Sequence, residues 1–338
     1  ISIFFITLSI LLIPICIIPQ LLFSGIIVPF DKLHPYFSSK SEVPAIGNVM
    51  ASRWAYEALT VVQFKDNEYE KRFFEFDKKM SFANWKKDQW ESNLDSKLTN
   101  FYRITQKENP LHTELDKIKR DGQIIINEVR KEIKNFNSSD LYSDEDVEKL
   151  LLTIKNNNME KKDYLALHNY LTSIRDYYMK QYNVASNSKD EILIRETDPD
   201  TTFIRKLRGL KKQKVISSKE YRSYKNLMSY LKKYQFQKFK NNFNNQSLED
   251  FVTNSNSLTF ITEDETSLIQ KSDPIYLDPV NHKYFGAHFY APSKYFLDYK
   301  LDTFSANLIV IWLMTLLLTI TLYFDVLRKI LEIKSSKR

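Results

Sequence analysis

The sequence predicts a mostly α membrane protein. Two transmembrane helices, the first with a re-entrant element, flank a large, mainly helical extracytoplasmic domain. Three observations lead there. Residues 1–30 carry no charged side chain, and neither do residues 304–324. Between them, glycine and proline almost vanish from residues 50–255, where Gly122, Gly209, Pro110 and Pro199 are the only ones. An uncharged apolar run of about 20 residues is long enough to cross the hydrocarbon core as a helix. A long stretch poor in both chain breakers favours helix over strand and turn.

In order, residues 1–30 read as a transmembrane helix ending in an outer segment, QLLFSGIIVPF. Pro14 and Pro19 lie inside it, and membrane helices tolerate proline better than soluble ones. It has no basic leader region and no small-residue cleavage site, and it begins with Ile1. It therefore reads as part of a longer chain rather than as a signal peptide. Residues 31–66 form a re-entrant or interfacial segment. There Arg53 and Glu57, four apart, share one face of a short helix. The expected state of this pair is an exposed surface ion pair worth a few tenths of a kcal/mol.

Residues 67–256 are the helical extracytoplasmic domain. Ser143, Ser217 and Ser247 each precede a carboxylate three residues on, the pattern of an N-terminal capping box. Helices are also expected over 97–136, interrupted by Pro110, and over 158–182. Tyr221, Tyr224, Leu227, Met228, Leu231 and Tyr234 recur at three- and four-residue steps. That apolar stripe is expected to pack on other helices. Residues 183–200 are polar, end in Asp-Pro-Asp, and read as a loop. Residues 257–303 read as an irregular, partly β, membrane-proximal segment, and residues 304–324 as the last transmembrane helix. Residues 325–338 form a basic tail with five Lys or Arg against two acidic residues. Basic residues beside a span mark the cytoplasmic side, which puts the C-terminus in the cytoplasm and residues 31–303 outside.

Several chemistries lack their motifs. There is no phosphate-binding Gly-x-x-x-x-Gly-Lys-Ser/Thr loop, no Gly-x-Ser-x-Gly and no His-Glu-x-x-His. The single cysteine, Cys16, permits no intramolecular disulfide. His282 and His288, with Asp278 nearby, match no familiar ligand spacing, so no metal site is expected. The basic run Arg205 to Lys214 reads as a solvated face, with anionic lipid or an acidic partner as the other readings. No nucleic acid is expected.

Phe23-Ser24-Gly25-Ile26-Ile27-Val28, followed by Ser52-Arg53-Trp54-Ala55-Tyr56-Glu57-Ala58-Leu59 and Gln63-Phe64, resembles the end of the permease half of type-2 ABC exporters. The subfamily is the white or G group. The run from Asp273 to Leu331 looks like its bacterial, Bacteroidetes-type branch. The resemblance covers about residues 1–66 and 270–333; the intervening region departs from the family, whose better-known members have a far shorter external loop.

The resemblance implies a C-terminal permease fragment that contributes the last two membrane helices, an apolar outer gate and an external domain. The gate would be Gly25, Ile26 and Ile27, the bulky pair forming a plug between two permease halves; Arg53 and Glu57 would fix the re-entrant segment. It also implies a second permease half and a nucleotide-binding domain as partners, and a multi-pass place in the bacterial inner membrane. This chain would be no enzyme itself and would hold no cofactor, ATP and Mg belonging to the nucleotide-binding domain. The alternative is a two-helix membrane-anchored extracytoplasmic sensor or binding protein.

Overall fold

A computed structural model describes residues 13–15, 17–28, 30, 42–133, 143–197, 201–280 and 284–324. Expectations about residues 1–12, Cys16, Pro29, His34, His282 and the basic tail lie outside the described residues. The chain is mostly helical. The first helices are α1 (Ile13–Leu22), α2 (Ala45–Asn48), α3 (Ala51–Lys65), α4 (Phe74–Trp85), α5 (Glu91–Thr105) and α6 (His112–Ile133). They are followed by α7 (Asp144–Lys155), α8 (Lys161–Thr197), α9 (Thr201–Lys212), α10 (Ser218–Phe243) and α11 (Gln246–Thr253). Then come strands β1 (Ile261–Glu263), β2 (Leu268–Gln270), β3 (Ser293–Phe296) and β4 (Tyr299–Asp302), and helix α12 (Thr303–Tyr323).

The chain divides into two compact units. The first comprises Ile1–Asp66, Val252–Asn254 and Asp273–Arg338; the second comprises Asn67–Phe251 and Ser255–Ser272.

In the first unit, α3 packs along α12. Among the described residues, α12 is the one helix long and apolar enough to cross a membrane, and only 11% of its apolar window is buried. A helix that is apolar all round and yet exposed suits lipid rather than a protein core. The described part of the first apolar run, α1, is too short to span by itself at about 1.5 Å per residue. Asp302 caps α12 by accepting the Phe304 amide at 3.1 Å, and the same carboxylate takes the Lys65 ammonium. Strands β3 and β4 form an antiparallel hairpin around Leu297 and Asp298, both at positive φ, as a two-residue primed turn requires.

The second unit is a helical assembly in which α4 and α5 pack on α8, with α6 and α7 alongside. Its core holds Leu94, Leu98, Phe101, Ile124, Leu167 and Leu171, all essentially inaccessible. Gly122 lets α6 approach closely, since a Cβ there would lie 3.0 Å from Ile154 and 3.1 Å from Phe101. Pro110 does separate two helices, α5 and α6. Ser143 caps α7 through the Asp146 amide, and Ser217 with Glu220 forms a complete capping box on α10. The third cap differs: α11 begins one residue before Ser247, and Asn245 accepts the Leu248 amide at 3.1 Å instead.

Two further expectations are corrected. Residues 183–197 are not a loop, because α8 continues through them to Thr197. Polar residues without Gly or Pro do not stop a helix by themselves. Tertiary contacts hold this extension: Ala185 is buried, and Lys189 reaches Asp77 of α4 at 2.5 Å. The stripe of α10 is packed only in part, with Tyr221 and Met228 half-buried. Tyr224, Leu227, Leu231 and Tyr234 are exposed, while Phe236 and Phe239 form the side that meets Tyr69.

Candidate functional site

The most unusual chemistry of the first unit is a buried charge cluster built from α3, β3 and α12. Helix α3 presents Arg53 and Glu57 one turn apart, with Nη1 3.6 Å from Oε2. Strand β3 brings Lys294, whose Nζ lies 2.5 Å from the same Glu57 oxygen. The first turns of α12 bring Asn307, whose Nδ2 donates to Glu57 Oε2 at 2.8 Å and to the Trp54 carbonyl at 2.9 Å. All four side chains are almost completely buried. The expectation of an exposed Arg53–Glu57 pair is therefore overturned: packing of α3 against α12 removes both groups from water.

Two cations face one carboxylate. The Trp54 ring relieves part of the imbalance, with Arg53 at 3.9 Å and Lys294 at 4.4 Å from its centroid. Cations over an indole face are attracted by its quadrupole, more strongly when desolvated. Trp54 is itself held by donating Nε1 to the Asn48 carbonyl at 2.8 Å. Burial pushes the Glu57 carboxyl up, but the charges of Arg53 and Lys294, with hydrogen bonds from Lys294 and Asn307, outweigh it and hold it below the usual carboxylate range. Burial lowers the Lys294 ammonium to about 8 against the opposing pull of Glu57. Among the described residues, four buried polar atoms here have no hydrogen-bond partner: Arg53 Nε and Nη1, Glu57 Oε1 and Asn307 Oδ1. Such a cluster is closed off from water. It can act as a latch that fixes α3 to the start of α12, because separating the helices would strand charges in a dry interior.

The expected gate residues lie elsewhere in the same unit. Gly25 takes φ +79°, and a Cβ on it would collide with the Phe30 ring. The turn is tied by Ser24, whose hydroxyl donates to the Leu21 carbonyl at 2.9 Å. It leaves Ile27 60% exposed and Ile26 half-buried. Ser52, at the start of α3, donates to the Gln20 carbonyl at 3.1 Å.

In the second unit, a π-helical segment, Lys86–Trp90, turns both Lys86 and Trp90 inward. Lys86 meets Glu132 at 2.5 Å and lies 4.0 Å from the Trp90 centroid; Glu132 also accepts from the Tyr178 hydroxyl. Trp90 Nε1 donates to Glu128 at 2.8 Å. Such bulges are frequent at functional sites. Here every polar group just named has a partner, so the arrangement reads as a polar core. Among the described residues no group of three or more His, Cys, Asp and Glu is placed to hold a metal ion. His288 instead meets the Pro274 carbonyl at 2.8 Å.

Sequence reasoning found Arg53 and Glu57 and missed Lys294 and Asn307. The available signals were faint: a lone Lys among aromatic residues in FYAPSKYF, and an Asn inside an otherwise apolar helix. Comparison with family models, curated proteins and solved structures gives no match in any of the three.

Proposed function

We propose that the chain is the C-terminal part of the permease of an ATP-driven exporter of the type-2 ABC class. In this reading it supplies the last two membrane helices, an apolar outer gate at Ile26 and Ile27, and an external helical domain. Residues 31–303 lie outside the bacterial inner membrane, and the C-terminus lies in the cytoplasm. A second permease half faces the gate, and ATP is hydrolysed by a nucleotide-binding domain outside this chain.

One observation carries the reading. The Gly25 turn leaves Ile27 exposed and Ile26 half-buried, and helix α3 is latched by buried charge to the start of the apolar helix α12. An Ile27 that is 60% exposed among the described residues suits a residue that meets a counterpart across a dimer axis. Two large apolar side chains there can close a passage by packing and dewetting. The latch would make α3 and α12 move as one body when the gate opens.

The native protein containing this chain, purified from membranes and reconstituted in liposomes, tests this. Vanadate-sensitive ATP hydrolysis coupled to loss of a trapped amphipathic dye is expected. Ile26→Ala with Ile27→Ala should raise passive leak or uncouple hydrolysis from transport. A second reading, a membrane-anchored extracytoplasmic sensor or binding protein, draws on the single candidate span among the described residues and the large helical unit. Purified protein without any ATPase, and a double variant without any effect on permeability, would favour it.

A further inference from the structure

Helices α9 and α10, with the turn between them, concentrate charge as no other part of the chain does. Residues 201–243 hold 13 Lys and Arg and one acidic residue, Glu220, for a net +12. The whole chain carries +7, so all the remaining residues together carry −5. None of the 26 residues of α10 is buried. Its inner side carries Phe236 and Phe239 against Tyr69, with Arg72 over the Phe239 ring at 5.0 Å. Its outer side carries Tyr224, Leu227, Leu231 and Tyr234 in one stripe, 40–58% exposed.

We propose that this face of α10 docks on an anionic bilayer surface, its Tyr and Leu side chains entering the headgroup boundary while the flanking Lys and Arg meet acidic headgroups. The argument is charge complementarity joined to an apolar stripe. A helix with a basic polar face and an apolar face lies in the membrane interface, and its binding adds apolar burial to attraction for anionic lipid. Each Lys or Arg near such a surface adds to the attraction. Tyrosine suits that depth because its ring is apolar and its hydroxyl stays wet. The same net +12 opposes a second copy of the hairpin as occupant, since like charges would be brought together. The inference does not depend on the transport reading; it needs only that the chain meets a bilayer.

The test uses the full chain with Cys16→Ser in lipid nanodiscs of phosphatidylcholine alone or with phosphatidylglycerol added. A nitroxide is placed on Leu227→Cys or Tyr234→Cys, and on Asn226→Cys about 100° round the helix. In the anionic discs the labels at 227 and 234 should gain oxygen accessibility and lose accessibility to a water-soluble nickel complex. The label at 226 should stay aqueous, and all three should stay aqueous in the neutral discs. Lys233→Glu with Lys238→Glu should lower the docked-to-free ratio roughly tenfold or more, as should high salt. Labels that remain water-exposed in both lipids overturn the proposal and leave an acidic protein as the occupant. Labels shielded alike in both lipids, with dipolar broadening between them, overturn it in favour of a second copy.

Discussion

Lys294 seats its ammonium 2.5 Å from the carboxylate of Glu57, a residue 237 positions earlier in the chain. Both are fully buried, and Arg53 shares the same carboxylate. The site therefore holds more positive than negative charge, and its two partners are not equivalent. Glu57→Gln leaves two buried cations uncompensated and should cost about 3–5 kcal/mol. Lys294→Met leaves one cation on one carboxylate and should cost clearly less. Thermal unfolding in detergent should rank the variants in that order; the reverse ranking would refute the two-to-one account. The pH dependence has a definite sign. The cost of keeping Lys294 charged is fully present below about 8 and is relieved as pH rises toward its ordinary 10.5. The stabilisation from Glu57 is present above its ordinary 4.5 and is lost as pH falls below that value through its depressed folded-state titration.

Gly25 should tolerate no side chain. Its positive φ strains any L-residue, and a Cβ would meet the ring of Phe30. Gly25→Ala should destabilise the first unit by about 1–3 kcal/mol. Ile27→Ala should leave stability nearly unchanged, because that side chain is exposed. Melting curves of the two variants side by side check the contrast.

Glu70 titrates near neutrality. Burial is the largest cause, joined by the charges of Asp77 and Glu249, and the carboxyl is pushed up from 4.5 to about 7 despite Lys189 and Lys240. A carboxyl raised in the fold favours folding while it is neutral. Its contribution is fully present below pH 4.5 and lost as pH rises through about 7. Glu70→Gln should flatten the stability of the second unit across that window. Urea midpoints measured from pH 4.5 to 8 would show it, and an unchanged slope would count against the assignment.

Glu132 stands between Lys86 and the Tyr178 hydroxyl with no exposure to water. Glu132→Ala strands a buried ammonium and should cost about 3–5 kcal/mol. Adding Lys86→Met to that variant should recover part of the loss, a coupling that a double-mutant cycle measures directly.

The fold was legible in the sequence where local signals are strong. Pro110 marked the break between α5 and α6, Ser217 with Glu220 marked the start of α10, and the uncharged run marked α12. The end of α8 was misjudged because residues 183–197 have weak local preference. They are helical through contacts such as Lys189 with Asp77, which lie 112 positions apart. The α10 stripe was misjudged for the converse reason: periodicity shows that a helix has an apolar face, and says nothing of whether another element covers it.

By itself the sequence determined the helical character of the chain, the apolar helix near its C-terminal end, the glycine turn before Ile26 and Ile27, and the concentration of positive charge between residues 201 and 243. These depend on composition and on spacing within a few residues, where backbone geometry and hydrophobicity act locally. Only the tertiary structure decided that Arg53 and Glu57 are buried rather than solvated, that Lys294 and Asn307 complete their site, and that most of the α10 stripe is left open to solvent. Whether a charge is paired in a dry interior or screened in water depends on groups hundreds of positions away, and nothing in the spacing of Arg53 and Glu57 encodes the arrival of β3 and α12.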